Sequence, residues 1–262
     1  MSRSPGVVPA LARQEARRLL RHPVVLAAFA WWVVIVAAAE LYQDTFVVQR
    51  FESVTAAFSF LPGVPCILVG HMMTTRDARA GSLPLLGALP VRAEQRVRAL
   101  CLAALAPAAV AAVLNAGIFS GYRLAFGFPD APDVWQVLQA PLTVAGGTLL
   151  GIMLGVWAPS RATPMLAMVV MVGINVVVAN RPHPVPLFGP MFSWADWGPT
   201  DGSVWWAMFP GSTLAHFLYL GGLCSMAAAA ALIRVSPRRG RALVVSAGAV
   251  ALTVAAGWAQ LP

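Results

Sequence analysis

Of 262 residues, 59% are hydrophobic and 11% charged, with a net charge of +8 and a mean hydropathy of +0.73. A soluble globular chain is about 45–50% apolar and about 25% charged, so the composition excludes an ordinary water-soluble domain and points to a polytopic membrane protein. All 18 basic residues are Arg. With no Lys to reach the β- and γ-phosphates, a Walker A ATP site is excluded, and Schiff-base chemistry or a Lys general base goes with it.

The first element is an amphipathic stretch, Pro9–Arg21. Leu11, Ala12, Ala16, Leu19 and Leu20 share one half of a helical wheel, and Arg13, Arg17, Arg18 and Arg21 the other. Such a helix lies in the headgroup plane with its arginines on anionic lipid, or else serves as a plain topogenic charge cluster. Glu15 falls on the apolar side and weakens the pattern. Met1–Arg21 lacks the apolar core of a cleavable signal peptide.

Seven apolar runs follow: Val24–Ala39, Val54–Met73, Ala99–Phe119, Val137–Trp157, Pro164–Val178, Ser212–Ile233 and Ala242–Trp258. Each is near the ~17–25 residues that cross a bilayer, and the lipid core demands that they be helices. The first and fifth are the shortest, and the seventh is either a span or a re-entrant helix. The loops between them are too short to fold as a separate soluble domain. Gly146, Gly147, Gly151 and Gly155 read as packing positions of a membrane helix. Cys66, Cys101 and Cys224 all lie in apolar runs, with no CxxC or metal spacing, and read as small buried hydrophobes.

With the N-terminus in the cytoplasm and the runs alternating, 15 of the 18 arginines fall in inner segments; only Arg50, Arg123 and Arg181 fall outside. That asymmetry sets the orientation. The positive charge then reports topology and contact with anionic lipid, and no nucleic acid is required.

Two connecting segments stand out. The cytoplasmic loop Thr74–Arg92 places Leu83, Leu85, Leu86, Leu89 and Val91 among arginines on the aqueous side. This is the pattern of a short helix that docks into a partner or lies on the bilayer. The outer loop 180–210 is rich in Pro and carries Trp194, Trp197, Trp205 and Trp206, which read as an interfacial belt or an outer gate. His71 and His216 lie at membrane depth without an obvious partner, so each is a packing residue or a proton or substrate site.

Enzyme signatures are missing: there is no HExxH, no GxGxxG after a strand and no Asp-rich pair. Ser212 with His216 four residues on has no orienting acid or oxyanion donors beside it in sequence. No catalytic residue and no metal ligand set is expected.

An Arg-rich amphipathic helix, two spans, then a segment carrying Gly81-Ser82-Leu83, Leu85-Leu86 and Pro90-Val91-Arg92 resembles the permease subunits of type-2 ABC exporters, which carry drugs, antibiotics, polysaccharides or lipids. The resemblance covers residues 7–233. It implies an all-α polytopic bundle: a six-helix permease core, here with a seventh C-terminal span. Residues 1–22 would be the cytoplasmic connecting helix and 23–262 the transmembrane domain. Within that domain, 74–98 would be the coupling segment, and Gly81, Ser82, Leu83, Leu85, Leu86, Pro90, Val91 and Arg92 would dock a separate ATPase. Two departures are Pro84, where the family often has an acid, and the seventh span.

The resemblance further implies a multi-pass protein of the inner or plasma membrane. Two copies of an ABC ATPase and a second permease, identical or homologous, would assemble with it. ATP-Mg would be bound in the partner, and this chain would need no cofactor. The second and fifth runs would face the pathway, making Phe58, Phe60, Met72, Met165, Met168, Met171 and Asn175 its candidate lining. The alternative is a non-transporting scaffold or immunity subunit that binds a partner through the same loop.

Overall fold

The computed structural model describes residues 6–42, 51, 54–55, 57–81, 91–127, 132–179, 181, 185–189, 212–237 and 239–261, and these are all-helical, with no strand among them. In chain order they form α1 (Val7–Leu20), α2 (Pro23–Tyr42), a π-helical turn (Ser59–Gly63) running into α3 (Val64–Arg79), α4 (Ala93–Ala103) and α5 (Leu105–Phe126). Then come α6 (Val134–Trp157), α7 (Thr163–Ala179), a 3-10 turn (Val185–Phe188), α8 (Thr213–Val235) and α9 (Arg239–Ala259).

Among the described residues four helices are long and apolar enough to cross a bilayer: α4 and α5 as one 33-residue unit, α6, α8 and α9. α1 with α2, a pair bent by 56°, makes a fifth when counted as one broken span. The chain is therefore read as a multi-pass membrane protein, with four to five such elements among the described residues, where seven apolar runs led us to expect seven. The second and fifth runs are not among these elements. α7 has only 17 residues, about 25 Å of helix. α3 ends in Thr74, Thr75, Arg76, Asp77 and Arg79, so its last turns are polar. The seventh run does form a long helix, and α9 packs antiparallel along α8.

Side chains that face outward agree with a lipid solvent. Trp31, Val33 and Val34 on α2, Leu166, Val169 and Val177 on α7, and Val244 and Val254 on α9 are all exposed. In water this surface would oppose folding; against acyl chains it costs nothing. Inside, Trp32 stacks on Phe58 with ring centroids 4.1 Å apart and donates its indole N–H to the Val54 carbonyl at 3.1 Å. That hydrogen bond is what allows a Trp to be buried without a desolvation penalty.

The centre of the bundle is the parallel pair α3 and α6. A Cβ on Gly147 would stand 2.1 Å from the Gly63 carbonyl oxygen, and one on Gly151 would stand 2.1 Å from that of Ile67. Gly155 continues the row one turn on, against Thr74. Spacing of four keeps these glycines on one face, so the two backbones touch as in small-xxx-small membrane pairs. At the start of the same element, Pro62 has no N–H to give the preceding turn, and the chain widens there into the π-helical turn.

The bundle has two ends of different charge. One gathers the end of α1, the C-termini of α3, α6 and α8, and the N-termini of α4, α7 and α9, with most of the described arginines. At the other end Tyr122 bonds to Glu40, Thr213 to Asp133, and His216 to Gln260. There the described arginines are Arg123 and Arg181. The split expected from sequence thus also exists between the ends of the folded bundle.

Gly151→Leu puts a branched side chain into the Ile67 backbone and should destabilise the fold by about 3 kcal/mol, read as a lowered melting temperature in detergent. Gly173→Leu, whose Cβ would meet nothing within 4 Å, should leave melting unchanged.

Candidate functional site

The first helix is held down by charge. Glu15 is buried, at 5% exposure, on the face α1 turns to the bundle. Its carboxylate accepts two hydrogen bonds from Arg76 at the end of α3, Nη1 to Oε2 at 2.6 Å and Nη2 to Oε1 at 2.7 Å. Arg18 adds a third to Oε1 at 3.2 Å. A fork-to-fork guanidinium–carboxylate pair is the strongest form of this contact, and it offsets the cost of taking Glu15 out of water. Arg76 also reaches Asp77 Oδ1 at 3.3 Å. The hydrogen bonds to Glu15 hold the Arg76 guanidinium above its ordinary value, so it stays charged throughout the working range.

This clasp lies at the mouth of the loop singled out for docking. Ser82, Leu83, Leu85, Leu86 and Pro90 lie outside the described residues, but both flanks are in place. Gly81 closes α3 with φ +65°, the left-handed position that favours glycine after a helix. Val91 is half-buried and Arg92 exposed. Gln95 turns back to accept the Arg92 backbone N–H at 2.9 Å and caps the start of α4. The loop therefore leaves and re-enters the bundle at the basic end, beside Glu15 and Arg76.

The pathway candidates separate. Met171 lines an apolar cleft of about 330 Å³ between the π-helical turn, α3, α6, α7 and α8. Ser59, Thr143 and Cys224 are among the few polar side chains there, Ser59 and Thr143 sharing a hydrogen bond of 3.2 Å. Phe58 is fully buried under Trp32, and Phe60 and Met168 are half-buried. Met72 is half-buried and Met165 exposed. Asn175 is buried, and its side-chain oxygen has no hydrogen-bond partner among the described residues. Of the seven, only Met171 lines the cleft.

Both membrane-depth histidines have partners that sequence spacing could not show. His71 Nε2 lies 3.2 Å from the Ala158 carbonyl, tying α3 to the end of α6. His216 Nδ1 lies 2.8 Å from Gln260 Oε1, and Gln260 donates to the Leu187 carbonyl at 3.3 Å. With Tyr219 donating to the Phe188 carbonyl at 3.0 Å, these bonds pin the turn at 185–188 onto α8 and α9. Ser212 accepts the Ala215 N–H as a helix cap, while His216 turns to Gln260. The four tryptophans of the outer loop lie outside the described residues.

Among the described residues no three His, Cys, Asp or Glu side chains gather as a metal site. Comparison of the chain with protein-family models, curated proteins and solved structures finds no match.

Sequence reasoning missed the Glu15–Arg76 pair, although its signal was present. An acid on the apolar face of an amphipathic helix has to be neutralised or paired. In a double-mutant cycle with Glu15→Ala and Arg76→Ala, the coupling energy from thermal unfolding should be at least about 1.5 kcal/mol. Additive losses would show that the two side chains stabilise the bundle separately.

Proposed function

We propose that the chain is the membrane-spanning permease subunit of an ATP-driven exporter of the type-2 ABC class, worked by a separate ATPase that docks on the cytoplasmic loop 74–98. The observation that carries the reading is mechanical. The docking loop joins α3 to α4; α3 is packed backbone to backbone on α6 and clasped to α1 through Glu15. A force applied at the loop reaches three helices at once, and two of them meet without flexible side chains between them.

The apolar cleft fits the same reading. It is bounded by α3, α6, α7 and α8 and lined by Met153, Met171 and Met226, flexible side chains that suit substrates of varied shape. An amphiphilic or antibiotic-like cargo with an apolar portion matches this lining. In this account two permeases and two ATPases form the working transporter, ATP-Mg is bound by the partner, and this chain catalyses nothing itself. The basic end faces the cytoplasm, in the inner or plasma membrane.

The test is purification of the tagged chain from its native membranes, with ATP hydrolysis measured on the eluate. The wild-type chain and Arg123→Asp, altered at the other end, should bring down an ATPase, and Leu86→Asp should reduce the recovered activity at least about tenfold. Recovery of the chain alone, or with a partner that hydrolyses no ATP, would instead favour a non-transporting scaffold or immunity subunit.

A further inference from the structure

At the basic end a cleft of about 1590 Å³ opens between α1, the end of α3, α4 and the end of α8. Seven arginines line it against two carboxylates. Four belong to α1 and the residue after it; the others are Arg76, Arg96 and Arg234. Both carboxylates are already engaged, Glu15 by Arg76 and Arg18 and Asp77 by Arg76. Excess positive charge is therefore left without a carboxylate counterion among the described residues of the cleft.

Arg96 makes the excess specific. It projects from the second turn of α4, and its Nη1 is buried with no hydrogen-bond partner. No side-chain hydrogen bond or ion pair engages it among the described residues. A guanidinium N–H withdrawn from water without an acceptor is a costly arrangement, and an anion in the cleft removes the cost. A phosphate suits it best, since planar guanidinium groups match its oxygens.

The rest of the cleft selects the source of that phosphate. Its wall includes Leu11, Met73, Val97 and Val156 beside the arginines, so charge and apolar surface meet in one site. The cleft stands where the arginine-bearing α1 bends by 56° from the apolar α2, and an amphipathic basic helix at such a bend belongs at the level of lipid headgroups rather than of the acyl core. We propose that this cleft binds the phosphate headgroup of an acidic phospholipid of the leaflet at the basic end, with Arg96 as its central ligand and the acyl chains running along the apolar wall. The assignment does not depend on an ATPase docking at the loop 74–98.

Native mass spectrometry of the full chain in detergent, mixed with phosphatidic acid, phosphatidylglycerol or phosphatidylcholine, tests it. The wild-type chain should retain the two acidic lipids at least about tenfold better than phosphatidylcholine. Arg96→Gln and Arg17→Gln, the second altered only at an exposed position of α1, should each lose most of that preference, and Arg181→Gln at the other end should keep it. Acidic lipid should raise the melting temperature of wild type but not of Arg96→Gln. Equal retention of all three lipids, or undiminished preference in both cleft variants, would overturn the proposal. Displacement of the lipid by millimolar inorganic phosphate would also overturn it, marking the cleft as a site for a free anion.

Discussion

The contact on which the bundle depends is the seam between α3 and α6. Gly147 and Gly151 leave no room for a side chain, so the two helices meet through their backbones. The seam fixes much else. It sets how far α6 stands from the π-helical turn, and so the width of the apolar cleft that both line. It brings His71 to the Ala158 carbonyl, closing the lower end of the pair. It also leaves α7 at the periphery, packed on α3 with much of its apolar surface outward. In lipid there is little hydrophobic gain from bringing helices together, and close packing of small residues supplies the attraction instead.

Charge organises what the seam leaves open. The basic end is held by one buried carboxylate shared between α1 and α3 through arginines, and the opposite end by hydroxyls bonded to Glu40 and Asp133 together with bonds such as Tyr219 to Phe188 and Gln260 to Leu187. At the headgroup level a guanidinium can pair with protein or lipid at little cost. Both acids of the basic cleft are consumed by arginines that tie the structure, which leaves Arg96 facing the cleft with no side-chain partner among the described residues. Structural and ligand-directed charges thus divide within one cluster.

Much of this organisation was legible in the chain. Composition, the absence of Lys and the distribution of arginines fix a polytopic helical protein and its two unlike ends, and the glycine spacing on α6 reads directly as a packing face. The legibility fails where partners are distant in sequence. Glu15 and Arg76 are 61 positions apart, and His216 and Gln260 are 44 apart; no local periodicity pairs them. The number of spans is legible only in part, because apolar runs report burial in lipid but not helix length: α7 has 17 described residues, and α3 ends in charged turns. Phe58 and Met171 have the same apolar character in sequence. Only the fold places one under Trp32 and the other on the cleft.

The central claim of the proposed function is that α3 and α6 move as one body when a docked ATPase pushes on the loop 74–98. Pulsed electron-spin distance measurements test it most directly, on the assembled protein in lipid discs with and without trapped nucleotide. One pair of labels at Ala78 and Val134 spans the seam, and a second at Ala78 and Val177 spans α3 and the exposed side of α7. The account predicts a narrow, unchanged distance for the first pair and a shifted one for the second. A shift or broadening of the Ala78–Val134 distance on nucleotide trapping would contradict it, because the seam would then be a hinge and the push would be lost there.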